Sequence, residues 1–367
     1  MSKRIIIAGG GTGGHIFPAV AVADAIKLFA PDVQILFVGA KGKMEMEKVP
    51  AAGYSIRGLD IVGLQRAQWW KNILLPFYLI KSFLQVRHIF KSFQPDGAFG
   101  VGGYSTFPVL RYAQWKGIPT FIHESNSFAG KANIWLAKKA ISVYVSGYGM
   151  EKFFPKKSII ITGNPVRNSI IEKSIPKAEA CEKFGLNKNL ITVLVVGGSL
   201  GARSINEAIL QGLPKLKAAG IQIIWQTGKY NSEKYQQSAK GQENIWSSTF
   251  INEMGDAFSA ADLVVSRAGA MSVTEITLLM KPSILVPYPL AAEDHQTANA
   301  QYLSNQNAAI LIADNEVNNQ LVDAIIQLGN DSVKRLDIEH KLSTLGYRNA
   351  DKEIAKDILT KIGKIVN

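Results

Sequence analysis

At 367 residues, of which 47% are hydrophobic, the chain is long enough for two domains of roughly 100–200 residues. Its one cysteine, Cys181, excludes an intramolecular disulfide and suggests no zinc cluster. No apolar run reaches the ~20 residues that cross a bilayer, and the chain enters a strand too early for a signal peptide to be expected. The net charge of +12 and pI near 9.5 point to phosphate ligands, anionic lipid headgroups or nucleic acid, without excluding a merely soluble basic protein.

The first apolar run, Arg4-Ile5-Ile6-Ile7-Ala8, enters a glycine-dense turn, Gly9-Gly10-Gly11-Thr12-Gly13-Gly14-His15. Helical periodicity follows from about Phe17 to Leu28. Glycines let a ligand approach bare N–H groups, and the positive end of a helix favours phosphate or another anion. Gly9, Gly11 and Gly14 satisfy G-x-G-x-x-G, but a nicotinamide site also wants an acid about 20 residues on, at the end of the second strand. That strand, Val33 to Val38, ends in Gly39-Ala40-Lys41-Gly42-Lys43 without one. This argues against NAD more than against NADP, whose 2′-phosphate would suit Lys41 and Lys43. His15, on the lip of the loop, sets it apart.

Strand-like and helix-like segments then alternate. Apolar runs lie at Ile35–Val38, Ala98–Val101, Thr120–Ile122, Val143–Val145 and Ile159–Ile161, then at Ile191–Val196, Ile221–Trp225, Leu263–Val265 and Ser283–Val286. This is the pattern of parallel sheets covered by helices on both faces. Trp69-Trp70, with Leu74, Leu75 and Phe77, precedes a helical pattern that continues to about Phe93 and carries Lys81, Arg87 and Lys91. Pro76 starts or kinks that helix. The stretch reads as a buried helix or as one that rests on a membrane surface, with cations toward lipid phosphates.

A second glycine loop, Gly100-Val101-Gly102-Gly103-Tyr104-Ser105, follows the next strand, and Thr120–Ile122 delivers His123-Glu124-Ser125-Asn126. Glu124 reads as a general base or as a cap of the following turn. Gly163-Asn164-Pro165-Val166-Arg167 is a hinge-like boundary, and the pattern restarts. Ile191–Val196 leads into Gly197-Gly198-Ser199-Leu200-Gly201-Ala202-Arg203, and Leu263–Val265 leads into Ser266-Arg267-Ala268-Gly269-Ala270-Met271, with Glu275 beyond. The halves read as two versions of one architecture. That suits two phosphate-bearing substrates better than one nicotinamide.

In their order, the glycine loops, His123-Glu124-Ser125-Asn126, Gly163-Asn164-Pro165-Val166-Arg167 and the Ser266–Glu275 segment resemble one family over essentially the whole chain. It is the bacterial N-acetylglucosaminyltransferases of peptidoglycan synthesis, which move N-acetylglucosamine from UDP to undecaprenyl-pyrophosphoryl-N-acetylmuramyl-pentapeptide (lipid I to lipid II). Ser125 stands where glutamine is expected. The resemblance implies an α/β fold of the GT-B type, with two Rossmann-like parallel-sheet domains facing across a cleft. Residues 1–165 would bind the lipid acceptor on the cytoplasmic face of the bacterial inner membrane. Residues 166–346 would bind UDP-N-acetylglucosamine, and a last helix near Ala350 to Ile362 would cross back onto the first domain.

The resemblance also implies roles. Ile251 offers backbone hydrogen bonds to uracil with Arg267 nearby, and Glu275 grips the ribose hydroxyls. Ser199 and Arg167 hold the donor phosphates. Ala270, Met271 and Gln296 line the sugar, faced by Thr12, Gly13, Gly14 and Asn126. Gly102, Gly103, Tyr104 and Ser105 cradle the acceptor pyrophosphate. Transfer to the acceptor's C4 hydroxyl inverts the anomeric centre. His15 is the candidate base, its ordinary pKa of ~6.5 suiting the task, with Glu124 in reserve and Trp69, Trp70, Leu74, Leu75 and Phe77 meeting the membrane. No Asp-x-Asp pair is placed for a metal, and no cofactor is expected. The alternatives are a UDP-sugar transferase with another lipid acceptor such as a diacylglycerol, an NADP-dependent oxidoreductase, and a non-enzymatic nucleic-acid binder.

Overall fold

The computed structural model describes residues 2–63, 75–147, 149–166, 175–198 and 200–364. The chain divides into two compact units, Met1–Arg167 with Tyr347–Asn367, and Asn168–Gly346.

In the first unit the strands are β1 (Arg4–Ala8), β2 (Gln34–Ala40), β3 (Ile56–Leu59), β4 (Gly97–Gly100), β5 (Thr120–Glu124), β6 (Ser142–Val145) and β7 (Ile159–Ile161). Helices α1 (Gly13–Phe29), α2 (Glu45–Ala51), α3 (Leu75–Phe93), α4 (Thr106–Trp115) and α5 (Lys131–Ala137) alternate with them. The strands form one parallel sheet, ordered β3-β2-β1-β4-β5-β6-β7. Successive side chains of a strand point to opposite faces. Ile5 and Ile7 therefore join Val22 and Ile26 of α1, while Ile6 and Ala8 join Val86 and Phe90 of α3 and Leu110 of α4. A strand covered on both faces needs no polar positions, which is why β1 reads as an unbroken apolar run.

Helix α1 starts at Gly13, four residues before the apolar period shows. Thr12, in extended conformation (φ −143°, ψ 160°), takes the N-cap position, and its carbonyl accepts from the N–H groups of His15 (3.1 Å) and Ile16 (3.2 Å). His15 thus belongs to the first turn of a helix, not to a loose loop. Two glycines carry no hydrophobic signal, so the pattern begins late.

The second unit repeats the plan. Its strands are β8 (Ile191–Val196), β9 (Ile221–Gln226), β10 (Ile245–Ser248), β11 (Leu263–Ser266), β12 (Ser283–Leu285) and β13 (Ile310–Leu311). They run parallel in the order β10-β9-β8-β11-β12-β13. Helices α6 (Lys177–Lys183), α7 (Arg203–Ala218), α8 (Ser232–Ala239), α9 (Met254–Ala260), α10 (Ala270–Leu278), α11 (His295–Ser304), α12 (Val317–Asn330) and α13 (Ser332–Ser343) surround them.

The last helix, α14 (Ala350–Lys361), returns to the first unit. Ile354, Ala355, Ile358 and Leu359 recur at helical spacing and are buried in the cluster that holds Ile5, Ile7 and α1. Asp357 on its flank accepts from Ser142 Oγ (2.8 Å) and Tyr144 Oη (2.7 Å). Burial, reinforced by that carboxylate, pushes the Tyr144 hydroxyl pKa well above its ordinary value and keeps it protonated.

Candidate active site

Strand order reverses between β1 and β4, so the loops leaving these two strands start side by side at the carboxyl edge of the sheet, where open α/β sheets bind ligands. The two loops touch backbone to backbone. A Cβ on Gly103 would lie 2.4 Å from the Gly10 carbonyl oxygen, and Thr106 Oγ1 donates to both the Ala8 (3.0 Å) and Gly102 (2.8 Å) carbonyls. At Gly102 (φ +98°) a Cβ would sit 2.8 Å from His15 Cδ2 and Nε2, so the imidazole rests on the bare glycine. His15 Nδ1 lies 3.1 Å from the Gly10 carbonyl oxygen. A carbonyl only accepts, so Nδ1 carries the proton and Nε2 is the basic nitrogen of the neutral ring.

Part of the phosphate seat expected in the first loop is taken by the protein itself. Gly11 N–H donates to Glu45 Oε2 at 2.8 Å, an occupant the sequence reading did not single out. Lys41, considered for a 2′-phosphate, instead pairs with Asp60 at 2.8 Å. In the second loop Ser105 is buried, and its hydroxyl oxygen has no hydrogen-bond partner among the described residues. Tyr104 is 45% exposed and packs its ring on Gly63, where a Cβ would come within 2.0 Å of Cε1. Thr12 is exposed, with Gly13 and Gly14 behind it partly covered.

At the end of β5, His123 is fully buried, and burial pushes its pKa down to about 4, so the ring is neutral. Glu124, the reserve base, is committed elsewhere. Its carboxylate accepts from Asn126 N (3.1 Å), Asn126 Nδ2 (3.2 Å), Gly130 N (3.0 Å) and Asn133 Nδ2 (2.9 Å). Of its two readings, the cap of the following turn is the one the geometry supports: it shapes the 125–130 segment and carries Asn126.

In the second unit strand order reverses between β8 and β11. Gln226, at the end of β9, ties two expected donor segments together. Its Nε2 donates to the Gly198 carbonyl (3.2 Å), and its Oε1 accepts from Ile251 N–H (3.0 Å). That N–H is therefore used inside the protein, which leaves the Ile251 carbonyl as the backbone group for the hydrogen bonds expected with uracil. Gln226 is one of two glutamines in β9, with Gln222, so the sequence did not mark it out.

Arg267 is held by its own unit. Its guanidinium donates to Asp314 Oδ1 (2.5 Å), Ser204 Oγ (3.0 Å) and the carbonyls of Val286 (3.3 Å) and Pro287 (3.1 Å), and lies 5.5 Å from the Tyr288 ring centroid. It clamps the exit of β12. The same strand exit meets Gln296, whose Oε1 accepts from Tyr288 N–H (2.9 Å). Ala270 and Met271 open α10, and Glu275 stands on the same helix, partly buried. Ser199 and Arg167 lie outside the described residues, as do Trp69, Trp70 and Leu74. Leu75 opens α3, and Phe77 in its first turn is 64% exposed. Among the described residues no helix is long and apolar enough to cross a membrane.

Comparison with known proteins matches both units. The glycosyltransferase family 28 N-terminal domain matches residues 5–145 and the C-terminal domain of that family matches residues 192–358. A Phocaeicola vulgatus protein named UDP-N-acetylglucosamine–N-acetylmuramyl-(pentapeptide) pyrophosphoryl-undecaprenol N-acetylglucosamine transferase is 49% identical, over 97% of this chain and 95% of its own. A protein of the same name from Parabacteroides distasonis is 47% identical over 98% and 99%. The crystal structure of Acinetobacter baumannii MurG is 30% identical, covers 98% of this chain and 99% of its own, and superposes with a TM-score of 0.76. The fold, the paired sheet topologies and the full-length relatives agree: this chain belongs to glycosyltransferase family 28, among the UDP-N-acetylglucosamine–N-acetylmuramyl-(pentapeptide) pyrophosphoryl-undecaprenol N-acetylglucosamine transferases.

Proposed function

We infer that the protein transfers N-acetylglucosamine from UDP-N-acetylglucosamine to the C4 hydroxyl of undecaprenyl-pyrophosphoryl-N-acetylmuramyl-pentapeptide, making lipid II from lipid I. The observation that carries this is one chain, matched along 97% of its length to relatives of that name, whose first unit seats a histidine with a basic Nε2 among glycine loops.

The first unit takes the acceptor. The Gly102–Ser105 segment and the start of α4 receive its pyrophosphate, and Thr12, Gly13, Gly14 and Asn126 lie toward the sugars. As the C4 oxygen attacks the anomeric carbon, its proton passes to His15 Nε2 and the bond from that carbon to the UDP oxygen breaks. In-line attack inverts the centre from α to β. The second unit takes the donor. The Ile251 carbonyl accepts from uracil, Glu275 accepts from the ribose hydroxyls, and Ala270, Met271 and Gln296 hold the sugar. Ser199 and Arg167, with helix N-termini, offset the charge that develops on departing UDP. Arg267 acts at one remove, by holding the strand exit that meets Gln296.

The direct test is transfer of radiolabel from UDP-N-acetylglucosamine to a lipid I analogue, with a diacylglycerol acceptor alongside. Label is expected in the lipid I analogue alone; label in the diacylglycerol would move the protein to another pathway.

A lipid acceptor calls for a membrane surface, and α3 supports a peripheral position on the cytoplasmic face. Phe77, Ile80 and Leu84, at positions i, i+3 and i+7, are 64%, 63% and 61% exposed, whereas Val86, Ile89 and Phe90 face the core. Lys81 and Lys91 share the outer side. Trp115 extends the surface, stacked on Phe83 at 5.0 Å and beside the Arg111 guanidinium at 4.9 Å. Serine at positions 77, 80 and 84 together is expected to weaken binding to phosphatidylglycerol vesicles by at least tenfold, since each such side chain contributes ~1.5–3 kcal/mol when fully buried. Transfer to a short-chain, water-soluble acceptor should be unchanged. Wild-type vesicle binding by the triple variant would remove α3 from the membrane contact.

A further inference from the structure

We propose that Glu45 is a positioning residue for His15: a built-in carboxylate that fills the anion seat of the first glycine loop and locks one peptide plane, thereby selecting the tautomer of the histidine.

Glutamate is rarely fully buried without partners. Glu45, the first residue of α2, is 1% exposed. Its oxygens meet backbone donors, Oε2 from Gly11 N–H (2.8 Å) and Oε1 from Ala40 N–H (2.9 Å). The surroundings are cut to fit it. A Cβ on Gly10 would lie 2.2 Å from Glu45 Cδ, and one on Gly39 would lie 2.5 Å from Glu45 Cγ. A side chain at either position would displace the carboxylate. The loop that reads in sequence as a cradle for a ligand phosphate thus closes on the protein's own anion.

The consequence for His15 follows from covalent geometry. Gly11 N–H and the Gly10 carbonyl belong to one peptide group, and in a trans peptide they point in opposite directions. Glu45 holds the N–H end; His15 Nδ1 holds the carbonyl end at 3.1 Å. Glycines flank the plane on both sides, with φ +150° at Gly10 and +88° at Gly11, so it would rotate readily if unheld. A flipped plane would turn its N–H toward Nδ1. The ring would then accept at Nδ1 and carry its proton on Nε2, which could no longer take a proton from the acceptor hydroxyl. Glu45 touches neither substrate; it acts through the Gly10–Gly11 peptide.

The proposal rests on His15 as the base only for its effect on rate, and the tautomer can be read separately. Nitrogen-15 NMR of histidine-labelled protein is expected to show His15 protonated on Nδ1 in the wild type. In Glu45→Gln, one of the two backbone donors faces an amide NH₂, and the population should move toward the Nε2-protonated form. Turnover should fall about 100-fold, as for a misplaced catalytic group, with UDP affinity unchanged. In Glu45→Ala, formate or acetate should restore activity saturably by re-occupying the seat. A wild-type His15 protonated on Nε2 overturns the proposal without any variant, even if Glu45→Gln fails to fold. So does an unchanged tautomer in a folded Glu45→Ala before formate is added, where Gly11 N–H has lost its acceptor. A tautomer shift with wild-type turnover would uphold the lock while removing His15 from the chemistry.

Discussion

Replacing His15 by alanine is expected to lower turnover by ~10²–10⁴-fold, the range for loss of a general base, while UDP and UDP-N-acetylglucosamine bind as before. The proposed donor residues, Ile251, Glu275 and Gln296, belong to the other unit, which folds around its own sheet. The fold should also survive. His15 is only partly buried and lies outside both core clusters of its unit, and such substitutions usually change stability by little. Steady-state kinetics with a lipid I analogue, alongside calorimetric titration of UDP, reads both quantities. Retained turnover in the variant would end the role of His15 as base.

Gly102→Ala should cost nearly as much without touching the histidine. The added methyl would stand 2.8 Å from two ring atoms, so the ring must move, and a displacement near 1 Å costs about 100-fold in rate. The backbone at φ +98° adds strain of roughly 1–3 kcal/mol for a residue with a side chain, so a lower melting temperature is expected as well. The double variant separates the two effects. If the methyl acts by moving the ring, Gly102→Ala should slow a His15→Ala enzyme little further, because the coupling of touching residues is far from additive. A second hundredfold loss in that background would place the damage elsewhere, in the Gly102–Ser105 segment proposed to take the acceptor pyrophosphate.

The two variants probe a contact that no inspection of the chain reveals. Residues 15 and 102 are brought together because β1 and β4 are neighbours at the reversal of strand order, and hydrophobic periodicity carries no information on strand order. The same limit explains Arg267 and Ile251. Their places in the chain sequence were legible, but Asp314, Ser204 and Gln226, which engage them, approach from distant segments.

What the amino-acid sequence determined by itself was the repeated alternation of buried strands and helices. Ile5–Ile7 and Val193–Val195 are covered on both faces and must be apolar throughout, so central strands announce themselves. Ile354, Ile358 and Leu359 likewise mark a last helix with one buried side. The glycine loops, the histidine beside the first of them and the family resemblance were also legible. The edge strands β3, β10 and β13 were not. Residues such as Arg57 and Ser247 face solvent or half-face it, and these strands are too short or too mixed to tell from loops, whereas β7, the other edge of the first sheet, shows as the apolar run Ile159–Ile161. Tertiary structure alone decided that Glu45, a charged residue in a lysine-bearing stretch, is buried. Burial of a carboxylate is tolerable only where donors converge on it, and Gly11 and Ala40 converge because two strands and a helix start meet there. Sequence marked the glycine loop as a seat for an anion; packing decided that the anion is the protein's own.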